Sequence, residues 1–464
     1  MSRADAIALA YLVTIIAFVL ALRFLSSPTT APLGNRIGAL GMLIALAATF
    51  AQAHLHNYLS ILIVMAVFAP IGAYAARAVK MTAMPQMVAL FNGVGGGAAA
   101  LVALADFHNV APAPGRVHAD VGISIMLSAL IGSVSFAGSL VAFGKLQELV
   151  SGRPIVYPGQ KVVNLALMAA LVALAIVVLA GPQRQALVIA LICGALLFGV
   201  LFVLPIGGAD MPVVISLLNA FTGLAAAATG FVLHNNVLIV SGMLVGASGT
   251  LLTILMGRAM NRSIANVLFG AFGQIVAGPV GAAADSDGAV RSASAEDVAV
   301  MLAYAKRVVV VPGYGLAVAQ AQHDVRQLAD LLEERGVDVT YAIHPVAGRM
   351  PGHMNVLLAE ANVPYPQLKE MDDVNPEFSR TDVALVIGAN DVVNPDARNN
   401  TGSPIYGMPI LNVDQAQQVV VLKRSMNPGF AGIDNPLFLN PKTVMLFGDA
   451  KVSVDKLIAS VKNL

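Results

Sequence analysis

Arg307–Gln322, RVVVVPGYGLAVAQAQ, is the stretch on which the fold turns. Four consecutive β-branched residues, Val308 to Val311, have the pattern of a strand buried on both faces of a parallel sheet. Pro312-Gly313-Tyr314-Gly315 breaks that strand, and a helical pattern starts at once. Strand, glycine-rich turn and helix together suit a dinucleotide pyrophosphate. Gly313 and Gly315 let backbone come close, and a helix N-terminus offers unpaired N–H groups and a partial positive charge. The third position of the G-x-G-x-x pattern is Val318 rather than glycine, so the turn by itself specifies little.

Downstream the same alternation continues. Strands are predicted at Val337–Ile343, Val383–Ile387, Val419–Leu422 and Thr443–Phe447. Helices are predicted over residues 295–306, behind a Ser294-x-x-Asp297 capping box, and over Ala317–Arg335, Gly352–Ala361 and Val452–Val461. Such alternation means a Rossmann-like parallel sheet covered by helices, with ligands beyond the carboxyl ends of the strands. Immediately before it, Gly270–Ala295 is rich in Gly, Ala and Ser without periodicity, the composition of a flexible tether.

Upstream the chemistry changes. The chain is 57% hydrophobic and 11% charged, and up to Gly257 it holds ten Lys or Arg and five Asp or Glu. Crossing a bilayer takes roughly 20 mostly apolar residues. Nine segments qualify: about Ala4–Phe24, Gly34–Gln52, Tyr58–Ala78, Met84–Ala105, Val121–Gly144, Val162–Ala180, Gln185–Leu204, Pro212–Leu233 and Val237–Gly257. The division expected is a membrane domain over residues 1–262, a linker over 263–295 and an α/β domain over 296–464. With nine spans the two ends lie on opposite sides. Loops on the side of the α/β domain carry Arg23, Arg36, Arg77, Lys80, Lys145, Arg153, Lys161, Arg258 and Arg262, against Arg3, Arg116 and Arg184 on the other. Positive charge collects in the cytoplasm, so the N-terminus is expected outside and the α/β domain inside. The first apolar run lacks a small-residue cleavage site and is read as a retained span. A net charge of +1 gives no sign of nucleic acid binding, and one cysteine, Cys193, excludes a disulfide framework or a cysteine metal cluster.

Polar residues inside the spans are few. Asn92, Asn219 and Ser248-Gly249 all fall roughly 10–13 Å in from the inner ends of their helices. At one depth they form either a polar path across the bundle or hydrogen bonds that simply hold helices together. Asp210 is the one charge in its loop. It either caps the eighth span or faces the cytoplasmic domain and relays a proton or a conformational signal. His54, His56, His108, His118 and His234 sit at outer loops or helix ends and read as solvated.

Strand ends in the α/β domain depart from an ordinary NAD site. The second strand ends at His344, where an acid would hold the ribose hydroxyls. Lys423-Arg424-Ser425, at the end of a later strand, brings ammonium, guanidinium fork and hydroxyl together, a set suited to a phosphate monoester. In NADP that group is the 2′-phosphate, and its place on a late strand points to a nucleotide reversed from the standard pose.

Taken whole, the chain resembles the β subunit of proton-translocating nicotinamide nucleotide transhydrogenase. The resemblance rests on Pro312–Gln322 (PGYGLAVAQAQ), His344–Asn355 (HPVAGRMPGHMN), Gly388–Pro395 (GANDVVNP) and Lys423–Asn427 (KRSMN). It implies NADP(H) on this chain, NAD(H) on a separate α subunit, and reversible hydride transfer between them coupled to proton movement. Lys423, Arg424 and Ser425 would then hold the 2′-phosphate. Tyr314, Val346, Ala347, Gly348, Arg349, Met350, Pro351, Gly388, Ala389, Asn390, Asp391, Val392, Asp449 and Ala450 would line the rest of the nucleotide. Met426, Asn427, Gly429, Phe430, Ala431 and Gly432, within the segment from Met426 to Ile433, would form a lid. Asp391 would serve coupling, and Asn92, Asp210, Asn219, Ser248 and Gly249 would belong to the proton path. No residue would act as acid or base in hydride transfer, and no metal is implied. A dimer of the αβ unit in a bacterial inner membrane, surrounded by lipid, is implied as well. Some relatives carry histidine in place of Asn92 and tyrosine in place of Phe430, so a protonatable group is expected on the partner chain rather than at Asn92. The competing reading is a channel or transporter gated by a nucleotide-sensing domain.

Overall fold

The computed structural model describes residues 2–27, 29–51, 57–79, 83–110, 118–151, 154–181, 184–207, 210–259, 290–348, 352–403, 405–429 and 431–464. They divide into two compact units, Met1–Thr253 and Ile254–Leu464.

Among the described residues of the first unit, nine helices are long and apolar enough to cross a membrane. They are α1 (Arg3–Leu25), α2 (Ala31–Phe50), α3 (Tyr58–Ala78), α4 (Met84–Val110), α5 (Ala119–Leu146), α6 (Gln160–Ala180), α7 (Gln185–Val203), α8 (Met211–Val232) and α9 (Asn236–Ala259). The chain is a multi-pass membrane protein. Spans α4 and α5 pack closely, and α5 also meets α6, α7 and α8. Lipid tails are as apolar as leucine, so apolar area does not drive these contacts; close packing and polar contacts do. The glycine runs supply the closeness. A Cβ on Gly96 would lie 2.9 Å from the Gly132 carbonyl, and one on Gly223 2.6 Å from the Gly246 nitrogen, so α4 meets α5 and α8 meets α9 backbone to backbone. By contrast, α3 buries none of its residues within this chain.

The second unit is built on six parallel strands in the order β3-β2-β1-β4-β5-β6. They are β1 (Arg307–Pro312), β2 (Asp338–Ile343), β3 (Leu368–Glu370), β4 (Val383–Ile387), β5 (Gln418–Lys423) and β6 (Thr443–Phe447). Val308 to Val311 are at most 2% exposed, because β1 is paired on both sides and covered on both faces. Helix α10 (Ala295–Ala303) starts at the capping box as predicted, with Ser294 Oγ accepting from Asp297 N at 3.1 Å. Helix α13 covers His353–Glu360 and α14 covers Ala450–Lys462.

Two expectations need correction. The helix predicted over Ala317–Arg335 is two, α11 (Tyr314–Ala319) and α12 (Gln322–Glu334), because Gln320 turns left-handed at φ +52° and ends the first. Strand β3 was not expected, since Leu-Lys-Glu has no apolar run and pairs only along the sheet's edge with β2. The tether expected over 263–295 falls mainly outside the described residues.

Gly313 has an extended backbone (φ −127°, ψ −175°), open to any residue. Its constraint is space: an added Cβ would sit 2.5 Å from Ala389 Cα. Gly313→Ala is therefore expected to destabilise this unit by roughly 1–3 kcal/mol, the usual penalty of forced overpacking. Gly402→Ala, where the nearest atom would be Asn400 Oδ1 at 3.5 Å, should be near neutral. Denaturant unfolding of the two variants checks the difference.

Candidate functional site

Sheet order brings the decisive turns side by side. Gly313 N donates to Ile387 O at 2.9 Å, Gly315 N to Gly388 O at 3.0 Å, Gly388 N to Leu422 O at 3.1 Å and Gly448 N to Lys423 O at 3.1 Å. Each turn is thus stitched to the neighbouring strand, in the spatial order β1, β4, β5, β6. Gly388 is left-handed (φ +67°), and a Cβ there would meet Leu316 N at 2.7 Å. Gly313, Gly315 and Gly388 are accordingly glycines because two backbone turns press together.

Beyond β4, Asn390 and Asp391 tie down the segment that follows β5. Asp391 Oδ2 accepts from Ala431 N at 2.9 Å. The Asn390 amide oxygen, turned toward the donors it faces, accepts from Gly429 N at 2.7 Å and Lys423 Nζ at 3.2 Å. Asn435 Nδ2 donates to Asn390 O at 3.1 Å, and Asn394 Nδ2 to Asp434 O at 3.1 Å. Ala431 and Ile433 pack on Ala397, Ile405 and Ile410. The expected lid, from Met426 on, therefore lies latched over the β4 turn.

The three basic-cluster residues separate in role. Lys423 turns inward: its Nζ donates to Asn427 O at 2.5 Å and lies 4.8 Å from the Phe438 ring centroid. Burial pulls its pKa below the usual lysine range, while Asp391 and Asp434 pull it back up. Arg424 and Ser425 are exposed at the end of β5, and Asn427 N donates to Ser425 Oγ at 3.4 Å. The pair reaches into solvent with a planar donor fork and a hydroxyl, which is what an anionic oxygen group requires. Asp449 is the N-cap of α14, its carboxylate accepting from Lys451 N at 3.0 Å, and Ala450 is buried behind it.

On the other flank, Gly348 is left-handed (φ +104°) beside His353, while Tyr314 and His353 rings are tilted at 6.5 Å. Ala347 is buried, Val346 half-buried, and Val318 exposed on α11. His344, at the end of β2, is 2% exposed. Its Nδ1 accepts from Val346 N at 3.2 Å, so Nε2 carries the proton given to Pro409 O at 2.8 Å. Burial lowers its pKa to about 4, so the ring is neutral and holds the loop in place. Arg349, Met350, Pro351 and Phe430 lie outside the described residues.

In the membrane unit, Asn92 is 8% exposed, and its Nδ2 donates to Ser139 Oγ at 2.9 Å and Ser135 Oγ at 3.4 Å. Ser135 Oγ continues to Leu218 O at 2.9 Å and to Thr222 Oγ1 at 2.6 Å. Farther along α5, Ser128 and Thr229 hydroxyls meet at 2.7 Å. No hydrogen bond joins Asn92 to Asn219 or Ser248 among the described residues. Asn219 is half-buried with no hydrogen bond shown, and exposed Ser248 bonds back to Val245 O of its own helix at 3.1 Å. Gly249 serves contact, its carbonyl accepting from Ser216 Oγ at 3.2 Å. Asp210 stands at the N-cap position of α8 without capping it through its side chain. The partners missed, Ser128, Ser135 and Ser139 on α5 and Thr222 and Thr229 on α8, recur at spacings of seven and four, the signature of one helix face.

The comparisons with known proteins agree with one another. Residues 7–460 match the family model described as NAD(P) transhydrogenase beta subunit. Two curated relatives named NAD(P) transhydrogenase subunit beta, one from Rhodospirillum rubrum and one from a named strain of that species, are each 47% identical over 456 residues. The match spans 97% of this chain and 98% of each relative.

The buried imidazole carries a pH signature. Its folded pKa of about 4 lies below the ordinary 6.5, so the unfolded state takes up a proton first as pH falls. The stability it contributes is full above about pH 6.5 and is lost toward pH 4, on the order of 3 kcal/mol. His344→Gln is expected to flatten that part of the stability profile between pH 7.5 and 5, measured by thermal unfolding beside the parent.

Proposed function

Because the chain belongs to the NAD(P) transhydrogenase beta-subunit family, we propose that it binds NADP(H) at the carboxyl edge of its sheet and supplies part of a proton path through its membrane unit. As such a subunit it is part of an oxidoreductase that acts with an α partner. The proposed reaction is reversible hydride transfer between NAD(H) on that partner and NADP(H) here, coupled to proton translocation.

The observation that carries this reading is the Arg424-Ser425 pair, exposed beyond β5 while Lys423 backs it from within. That donor set fits a 2′-phosphate, and the buried neutral His344 leaves no acid for the usual ribose contact. Together they favour a nucleotide lying reversed. When bound, the nicotinamide supplies the hydride chemistry itself. This chain's residues bind, orient and exclude water. Tyr314, Val346–Gly348 and Gly388–Val392 would line the nucleotide, with the described part of Met426–Ile433 closed over it. Asp391, holding Ala431 N, is the latch on that closure.

Coupling would be reciprocal: proton occupancy in the membrane unit changes the free energy of latching, and nucleotide state changes proton affinity by the same amount. Asn92, with Ser135 and Ser139, supplies hydrogen-bonding groups to the path, joined by Asp210, Asn219, Ser248 and Gly249. We place the chain in a bacterial inner membrane, N-terminus outside and nucleotide unit in the cytoplasm, as part of a dimer of the αβ unit. Residues 1–262, 263–295 and 296–464 would be membrane domain, tether and nucleotide domain.

NADPH-dependent reduction of an NAD analogue, in membranes with and without the α partner, tests the reaction. Ion flux without hydride transfer would instead support a gated transporter. Arg424→Met should raise KM for NADPH about 10–100-fold, the size of a lost charge-assisted bond, with far less effect on NADH. Asp391→Asn should speed NADP(H) release and cut proton pumping in vesicles about tenfold, by weakening the charge-assisted bond that holds the lid closed. Unchanged release and pumping would remove Asp391 from coupling.

A further inference from the structure

Lys145 is 2% exposed, the one lysine, arginine, aspartate or glutamate buried to this degree among the described residues. In sequence it counted as a loop cation; in the structure it belongs to the last turn of α5. Its ammonium donates to two carbonyls where α7 ends, Leu204 O and Ile206 O, the second at 2.7 Å. Both carbonyls lie at the C-terminal end of α7, where the helix dipole favours a cation, and Leu204 O also accepts from Ile155 N at 3.2 Å. The turn they belong to leads directly to Asp210, whose N–H donates to Gly207 O at 3.1 Å. The carbonyl of Leu146, next along α5, accepts from Gln86 Nε2 at 3.1 Å, and Gln86 lies on α4 six residues before Asn92.

Burying an ammonium group is unfavourable, and an apolar side chain of similar length would fill the same space without that penalty. What the charge adds is a hold on two carbonyls at once. We propose that Lys145 is a positioning residue of the proton path: it clamps the turn between α7 and α8, and so sets Asp210 against the helix pair that carries Asn92. This rests on the reading that Asp210 and Asn92 belong to that path.

The test uses the full chain with its α partner in membrane vesicles, with Cys193→Ser and Gly207→Cys as background. A Cβ at Gly207 would lie 3.6 Å from Pro154, an ordinary contact, so cysteine fits there. Two quantities are read: the rate at which a water-soluble maleimide labels Cys at that position, and protons moved per hydride transferred. Lys145→Met is expected to raise labelling about tenfold and lower the proton-to-hydride ratio severalfold, because two charge-assisted bonds are lost. Lys145→Arg, which keeps charge and donors, should restore both to near the parent. Unchanged labelling in Lys145→Met, or faster labelling with an unchanged ratio, overturns the proposal. If Lys145→Met does not accumulate, Lys145→Gln, shorter and neutral, should give intermediate values, and parental values on both readouts overturn the proposal. A parent background that transfers hydride while moving no protons would instead refute the proton-path reading, and labelling would then judge the clamp alone.

Discussion

The carboxyl edge of the sheet depends on two backbones touching. Between Gly313–Gly315 and Gly388–Ala389 there is no room for a single additional carbon, and two hydrogen bonds, Gly313 N to Ile387 O and Gly315 N to Gly388 O, close the seam. That contact fixes where α11 begins and where the β4 turn points. Asn390 and Asp391, on the same turn, then reach Gly429 and Ala431, and through them the segment that follows the basic cluster is drawn over the edge. The β1 turn, the β4 turn with its tie to the following segment, and the end of β5 are therefore one mechanical object. A change at the seam propagates to all three, because packed backbone has no soft direction in which to yield.

The membrane unit solves a different problem. Its helices gain nothing from hiding apolar surface from one another, so glycine contacts and hydroxyl bonds decide which faces meet. Helix α5 is central to both: Gly132 meets α4, Gly138 meets the side chains of Leu218 and Val203, and Ser128, Ser135 and Ser139 pair with α8 or α4. One helix thus carries both close glycine packing and half of the buried serine and threonine side chains described in this unit. The proton path proposed for this unit would need polar groups and stable geometry together, and α5 carries Ser128, Ser135 and Ser139 on a single face. Helix α3 buries none of its residues in this chain.

The proposed coupling between the two units would be a free-energy relation and would require an element with two states in each. In the second unit the segment after β5 is the natural candidate, since a handful of hydrogen bonds and the packing of Ala431 and Ile433 on Ala397, Ile405 and Ile410 hold it. In the membrane unit the turn before α8 is held by the Lys145 ammonium group and a few backbone hydrogen bonds. Both are places where few interactions stand between a closed and an open arrangement.

Much of this was legible in the residues alone. Nine apolar stretches at bilayer length, the valine run of β1 and the alternation after it specified two kinds of fold, because burial in lipid and burial inside a parallel sheet each demand a distinctive run of side chains. Lys423-Arg424-Ser425 and the missing acid at His344 were visible because they are residue types at strand ends. What the residues could not show was direction and company. Nothing in the sequence says that Lys423 turns inward while Arg424 stays out, that Ser248 faces away from the bundle, or that Lys145 is buried. Nor does it say that Gln320 breaks a helix with no glycine or proline to announce it. Those outcomes depend on which helix faces and strand ends become neighbours, and that is decided by packing between segments far apart in sequence, as Lys145 and Leu204 are at 59 residues. The periodicities of this chain determined its elements; only the tertiary contacts decided which of its polar groups meet.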